Sequence, residues 1–223
     1  MIGVVIPVHN EQDYLRACLL SVQVAALHPA LMRESVRVAV VLDACSDGSD
    51  QIAAAFPLDV LRIEAGNVGA ARAAGAALLL HAGARWLAFT DADSVVSPGW
   101  LAAQLALRSD VVCGTVAVDD WSLHGERAGL LRRRFFRSYR DHEQHRHIHG
   151  ANLGVSATSY VRAGGFAALS CGEDVALVEA LIACGAQIAW SASPRVTTSS
   201  RFASKARGGF GDTLRMLSLA PTD

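Results

Sequence analysis

Several features that mark large protein classes are missing from this chain, and each absence excludes something. No run among the 223 residues approaches the roughly 18 consecutive apolar positions of a membrane-crossing helix. The first apolar run starts at Ile2, which leaves no room for a signal peptide, so a cytoplasmic location is expected. An excess of one charge is missing too. Twenty Lys and Arg against 21 Asp and Glu leave a net charge of −1, with no global electrostatic case for nucleic acid. The five cysteines (Cys18, Cys45, Cys113, Cys171, Cys184) are odd in number, scattered and without C-x-x-C spacing, as in a cytosolic protein with reduced thiols. No G-x-G-x-x-G follows the first apolar run, which excludes a Rossmann dehydrogenase. His142-Glu143-Gln144-His145 is not H-E-x-x-H, because the second His comes one residue early, and zinc is not expected there.

What is present is an apolar chain, 52% hydrophobic and rich in Ala, with enough residues for one large α/β domain. Its first half alternates strand and helix patterns. Ile2–Ile6, Val36–Leu42, Asp59–Ile63 and Trp86–Phe89 read as strands. Between them, Glu11–Leu27 and the Ala-rich Gly69–His81 read as helices, and Ser46-Asp47-Gly48-Ser49 opens a short one. Continuous apolar strands separated by helices predict a mostly parallel sheet covered on both faces, with ligands at the carboxyl ends of the strands. The second half is less regular. It predicts helices over Pro98–Arg108, Gly125–Arg146 and Glu173–Cys184, and strands over Val111–Val118 and Asn152–Ser156. From Thr197 on, Ser, Gly, Arg and Lys predict a mobile tail. No repeat or linker divides the chain. The expected layout is a single domain over 1–223, with a regular strand–helix half over 1–95, a less regular half over 96–195 and a mobile basic tail over 196–223.

Asp91-Ala92-Asp93, directly after Trp86–Phe89 and Thr90, is the most informative feature. Two carboxylates at the end of a buried strand repel each other and lose solvation. A hard divalent cation, Mg²⁺ or Mn²⁺, removes that problem and keeps positions open for phosphate oxygens. Other candidates fall at the same sheet edge. Asp43 offers an acceptor for the imino N–H of a uracil base, or it is a capping or turn residue. Asn67-Val68-Gly69-Ala70-Ala71-Arg72 places small residues and an Arg at a helix start, which suits a diphosphate or makes a tight loop with a solvated Arg.

The order Ile6-Pro7-Val8-His9-Asn10-Glu11, Asp43-Ala44-Cys45-Ser46-Asp47-Gly48-Ser49, Gly66-Asn67-Val68-Gly69-Ala70-Ala71-Arg72 and Asp91-Ala92-Asp93 resembles the family 2 glycosyltransferases. Gly150-Ala151-Asn152-Leu153-Gly154, Ala163-Gly164-Gly165-Phe166 and Gly172-Glu173-Asp174 extend the likeness over roughly residues 2–190. The resemblance implies a GT-A fold and transfer of a sugar from a nucleoside diphosphate donor to a hydroxyl acceptor, with inversion at the anomeric carbon. It implies that Pro7, His9, Asn10 and Glu11 line the nucleoside pocket. Asp43 would meet the base, and Arg72, beside Asn67, the base or phosphate. Asp91, Ala92 and Asp93 would hold the donor ribose and the metal, with Asp93 the closer ligand. Glu173 and Asp174 would be the acidic pair near the acceptor, with Asp174 the general base. Single displacement needs such a carboxylate to take the acceptor proton. At the start of a helix, Asp174 would otherwise be an acid stabilised by the macrodipole.

His149 and Asn152 are candidates for the acceptor side, and Arg201, Lys205 and Arg207 for a basic loop closing over the diphosphate. Arg127, Arg132, Arg133, Arg134, Arg137, Arg140 and Arg146 form a local basic stretch, either a charged helix face or a peripheral contact to an anionic lipid carrier or membrane surface. The match has departures. Leu42 stands where the family often has an acid, no His follows residue 149, and the Gln-x-x-Arg-Trp motif of processive synthases is absent, which favours single transfer. UDP-sugar is the favoured donor. Two alternatives stand: a catalytically silent nucleotide-sugar-binding scaffold, and a nucleotidyltransferase. The latter would need a Gly-rich basic loop after the first strand, which His9-Asn10-Glu11 does not supply.

Overall fold

The computed structural model describes residues 1–201 together with Arg215, Met216 and Ser218. Within them, eight strands form one mixed sheet. They are β1 (Ile2–Val8), β2 (Val36–Asp43), β3 (Asp59–Ile63), β4 (Trp86–Phe89), β5 (Ser94–Val96), β6 (Val111–Ala117), β7 (Leu153–Ser156) and β8 (Ile188–Thr198). The spatial order is β3-β2-β1-β4-β7-β6-β8-β5. β3, β2, β1 and β4 are mutually parallel, as their apolar runs predict. β7 runs antiparallel between β4 and β6, and β5 antiparallel to β8.

Among residues 1–201 there are seven α-helices: α1 (Leu15–Ala26), α2 (Ser49–Ala54), α3 (Val68–His81), α4 (Trp100–Ala106), α5 (Ala128–Ser138), α6 (Ala157–Arg162) and α7 (Glu173–Ala183). The pleat of β1 divides the core. Ile2, Val4, Ile6 and Val8 pack with Leu15, Cys18, Leu19 and Val22 of α1. Val5 faces the other way, onto Ala76 and Leu79 of α3 and, within the same cluster, Leu177, Val178 and Leu181 of α7. Gly75 lets α3 lie close on the sheet, since a Cβ there would come within 2.6 Å of Val5 Cγ1. Asn67 caps α3 by accepting the Ala70 N–H at 2.9 Å, which fixes the loop leading into it.

Three expectations change. The helix predicted over 125–146 is only α5, Ala128–Ser138. Beyond it, side chains strap the chain to β6 and β8: Asp141 accepts from Thr115 Oγ1 (2.6 Å), and Glu143 from Ser191 Oγ and the Ala192 N–H. Those long-range bonds outweigh local helix propensity. The predicted tail from Thr197 in fact begins inside β8, whose eleven residues carry no strong strand signal. Pro194, which has no N–H to give, sits at the register jump between β6 and β8. β5 and α6, both short, have no counterpart among the predicted elements.

Candidate active site

The carboxyl ends of β1, β2 and β4 open into a cleft of about 950 Å³, closed on its far side by the start of α7 and by residues 147–151. Pro7, His9, Glu11, Asp43, Asn67, Arg72, Asp91, Ala92, Asp93, His149, Glu173, Asp174 and Arg201 all line it. The cleft therefore gathers most of the residues singled out in the sequence. Asn10 and Asn152 are not among its lining residues, and Lys205 and Arg207 lie outside the described residues.

On the nucleotide side, the loops after β1 and β2 are knitted together. Asn10, at a left-handed φ of 55°, accepts the Ser46 N–H at 2.7 Å. The His9 ring donates from Nδ1 to the Asp43 carbonyl at 2.7 Å. Asp43 is buried, and its carboxylate accepts three backbone N–H groups, from Ala65 (2.7 Å), Gly66 (2.8 Å) and Asn67 (2.7 Å). It shapes the loop into α3, and of roughly four acceptor positions on a carboxylate one remains for a ligand.

Arg72 lies under the cleft floor. Its guanidinium is 3% exposed and pairs with Glu173 and, at 2.5 Å, with Asp91. Gly150 is required above it, since a Cβ there would overlap the guanidinium. The alternative of a solvated Arg is thus overturned: this side chain lines the cleft from a buried position and orients two carboxylates from beneath. Burial raises the Glu173 pKa, the Arg72 charge lowers it and Asp174 raises it again; the net direction is up.

Asp93 accepts from Ser199 Oγ (2.7 Å) and lies 3.0 Å from an Arg201 Nη. Burial raises its carboxyl pKa, Arg201 opposes this, and Asp91 adds to it; the net direction is again up. The Arg201 guanidinium also grips Glu11 with two bonds of 2.6 and 2.7 Å and lies over the Tyr14 ring. Ser199 and Tyr14 were missed because neither carries a motif; only the fold brings them to Asp93 and Arg201.

On the opposite wall, Asp174 Oδ2 accepts the Gly150 N–H and Oδ1 the Val175 N–H, both at 2.8 Å. These bonds aim a carboxylate across the cleft from a rigid helix start. Tyr139, also missed, accepts the Val116 N–H and donates to His149 Nε2 at 2.9 Å. Burial, with smaller contributions from His147 and His145, pushes the His149 pKa down to about 3, so its ring is neutral at ordinary pH. Asn152 is fully buried: it accepts from Trp100 Nε1 (2.9 Å) and donates to the Thr115 and Pro194 carbonyls. Its amide is spent on the β6–β8 irregularity, which removes it from the acceptor candidates.

The charge balance of the cleft is lopsided, with six carboxylates against two guanidiniums. Among the described residues, no three His, Cys, Asp or Glu side chains are close enough to hold a metal by themselves. The donor set is nonetheless hard oxygen, and Arg201 shows that the corner between Glu11 and Asp93 accommodates positive charge. That fits a cation of the Mg²⁺ or Mn²⁺ kind held by one or two carboxylates plus ligand phosphates, not an all-protein cage.

The sequence matches the family model described as glycosyl transferase family 2 over residues 3–160. The chain belongs to glycosyl transferase family 2. No curated protein matches it. Among solved structures, TarS 1-349 from S. aureus in complex with UDP superposes with a TM-score of 0.64 at 17% identity, covering 89% of this chain and 60% of that one. Mannosyltransferase PcManGT from Pyrobaculum calidifontis, in complex with GDP-Man and Mn²⁺, gives 0.62 at 17%, covering 97% and 60%. GalNAc-T7 with UDP, GalNAc and Mn²⁺ gives 0.64 at 17%, covering 92% and 46%. At these identities the likeness establishes the GT-A type α/β fold expected from the sequence. The chain spans 60% or less of the length of each of these three structures. No helix among the described residues is long and apolar enough to cross a membrane.

Proposed function

We propose that this chain is an inverting glycosyltransferase that moves a sugar from a nucleoside diphosphate sugar, UDP-sugar by preference, to a hydroxyl acceptor. The observation that carries the reading is the convergence of Asp91, Asp93, Asp43 and Asp174 in one cleft at the carboxyl edge of the sheet. Asp43 retains an acceptor position suited to the imino N–H of uracil, and the fold neighbour TarS is in complex with UDP.

A diphosphate is an anion and would be repelled by six carboxylates unless a cation enters with it. Asp93, with Asp91 beside it, would hold that cation, Mn²⁺ or Mg²⁺, whose charge would offset that of the departing diphosphate. Mn²⁺ accompanies the nucleotide in PcManGT and GalNAc-T7, which supports the same requirement here. The acceptor oxygen attacks the anomeric carbon from the face opposite the diphosphate. The bond from that carbon to the diphosphate oxygen breaks, and its electron pair leaves with the diphosphate. Asp174 takes the acceptor proton. Glu173 and Arg72 hold the floor beneath the reacting centre. Five free thiols suit a reducing, cytoplasmic setting.

The test is turnover of a panel of UDP-, GDP- and dTDP-sugars with hydroxyl acceptors and Mn²⁺, with proton NMR on the product. An α-linked donor should give a β-linked product. Retention of configuration would exclude single displacement and the base role of Asp174.

A further inference from the structure

Helix α5 presents an outward stripe that the cleft does not use. Residues 129, 132, 133, 136 and 137 are all exposed, at the i, i+3, i+4, i+7, i+8 spacing of one helix face, and Arg140 is exposed just beyond the helix end. The five on the helix read Gly, Arg, Arg, Phe, Arg. The opposite face, Leu131, Arg134 and Phe135, is buried. Phe136 is 57% exposed, and Leu123, on the preceding turn that packs against α5, is 62% exposed. The Arg132 guanidinium lies over the Phe136 ring. Among the described residues, Arg132, Arg133, Arg137 and Arg140 enter no ion pair. α5 contains no acidic residue; Glu126 is exposed on the preceding turn, and Asp141 and Glu143 beyond the helix are engaged by Thr115, Arg195, Ser191 and Ala192. A hollow of about 710 Å³ on this face is lined by Leu130, Phe136 and four arginines.

Positive charge is thus concentrated on one helix of a chain whose net charge is −1. Arginines interleaved with an exposed aromatic suit a surface that offers phosphates at one level and hydrocarbon just below it. The apolar positions separate this from a nucleic-acid site, which a chain of near-zero net charge does not favour. We propose that the outer face of α5, with Arg140 just after it, docks the protein on an anionic phospholipid bilayer, with Arg132, Arg133, Arg137 and Arg140 at the headgroups and Phe136 inserted. Phe135, Ser138 and Tyr139, from α5 and just after it, line the cleft, so docking brings the acceptor wall to the membrane surface.

The test is flotation of the whole chain with vesicles. One set is phosphatidylcholine alone; the other contains about 30 mol% phosphatidylglycerol. Binding is expected only to the anionic vesicles, weakening as salt rises. The triple variant Arg132→Gln, Arg133→Gln, Arg137→Gln should lose about a hundredfold in partition, from roughly fivefold per arginine. The matching triple Arg→Lys variant should retain binding, and Phe136→Ser should weaken it without changing its salt dependence. Circular dichroism of each variant separates lost docking from lost folding; if the Gln triple misfolds, the Lys triple and Phe136→Ser decide. Absence of binding to anionic vesicles, binding unchanged by the Gln triple, or tighter binding to a DNA duplex at equal salt would each overturn the assignment.

Discussion

Replacing Arg72 with Met keeps most of the side chain's apolar length and removes its charge. In the native fold this guanidinium is 3% exposed, between Glu173 at 7% and Asp91 at 36%. The Asp91 pairing is open to water and contributes less than about 1 kcal/mol. The Glu173 pairing is buried, and removing one partner of a buried pair costs about 3–5 kcal/mol. Glu173 can limit that loss by taking up a proton. Its pKa is already raised by burial, with Arg72 the main opposing influence, so the Met variant lifts it further. An acid whose folded pKa lies above its unfolded value destabilises the fold as pH rises from the unfolded value towards the folded one. Denaturant unfolding of Arg72→Met should therefore show a loss of about 3 kcal/mol near pH 8 and a smaller loss near pH 5. The double variant Arg72→Met/Glu173→Gln, which buries no charge there, should regain about 2 kcal/mol near pH 8. A loss under about 1 kcal/mol at both pH values, or a double variant no more stable than the single, would refute the reasoning.

Three other outcomes follow from the same geometry. Asp174→Asn should lower kcat by about 10²–10⁴ while leaving the nucleotide Kd within about twofold, because the amide cannot accept the acceptor proton; kinetics and calorimetry separate the two. Arg201→Ala should tighten Mn²⁺ binding about tenfold in the absence of donor, since the guanidinium competes for Asp93 and Glu11, and Mn²⁺ paramagnetic titration reads the change directly. Asn152→Leu should destabilise the fold by about 3 kcal/mol or more by stranding the Thr115 and Pro194 carbonyls and the Trp100 N–H, with KM for acceptor unchanged in the folded fraction.

The sequence exposes the parts of this fold that are built from local signals. Ile2–Val8, the second half of β2 (Ala39–Asp43) and Trp86–Phe89 are buried on both faces, and that burial is what a continuous apolar run records. Asp43, Asp91 and Asp93 stand out because acids following such runs have no structural use in the strands themselves. β8 is hidden for the opposite reason. Its Ser, Pro and Arg residues read as loop, and it exists because β6 and β5 flank it. The end of α5 is equally invisible: no Gly or Pro stops the helix at Ser138, and bonds from Asp141 and Glu143 to distant strands do so. Arg72 and Asn152 show the limit for single residues. Both sit within recognisable motifs, yet burial assigns Arg72 to positioning carboxylates and Asn152 to filling a sheet irregularity.

The central claim is that this cleft takes a nucleoside diphosphate together with a divalent cation at Asp93. Isothermal titration with UDP, GDP and dTDP, each with and without Mn²⁺, tests it most directly. The account predicts Mn²⁺-dependent binding, with UDP preferred, and its loss in Asp93→Ala. Binding that is equally tight without metal, or that survives Asp93→Ala unchanged, would contradict it.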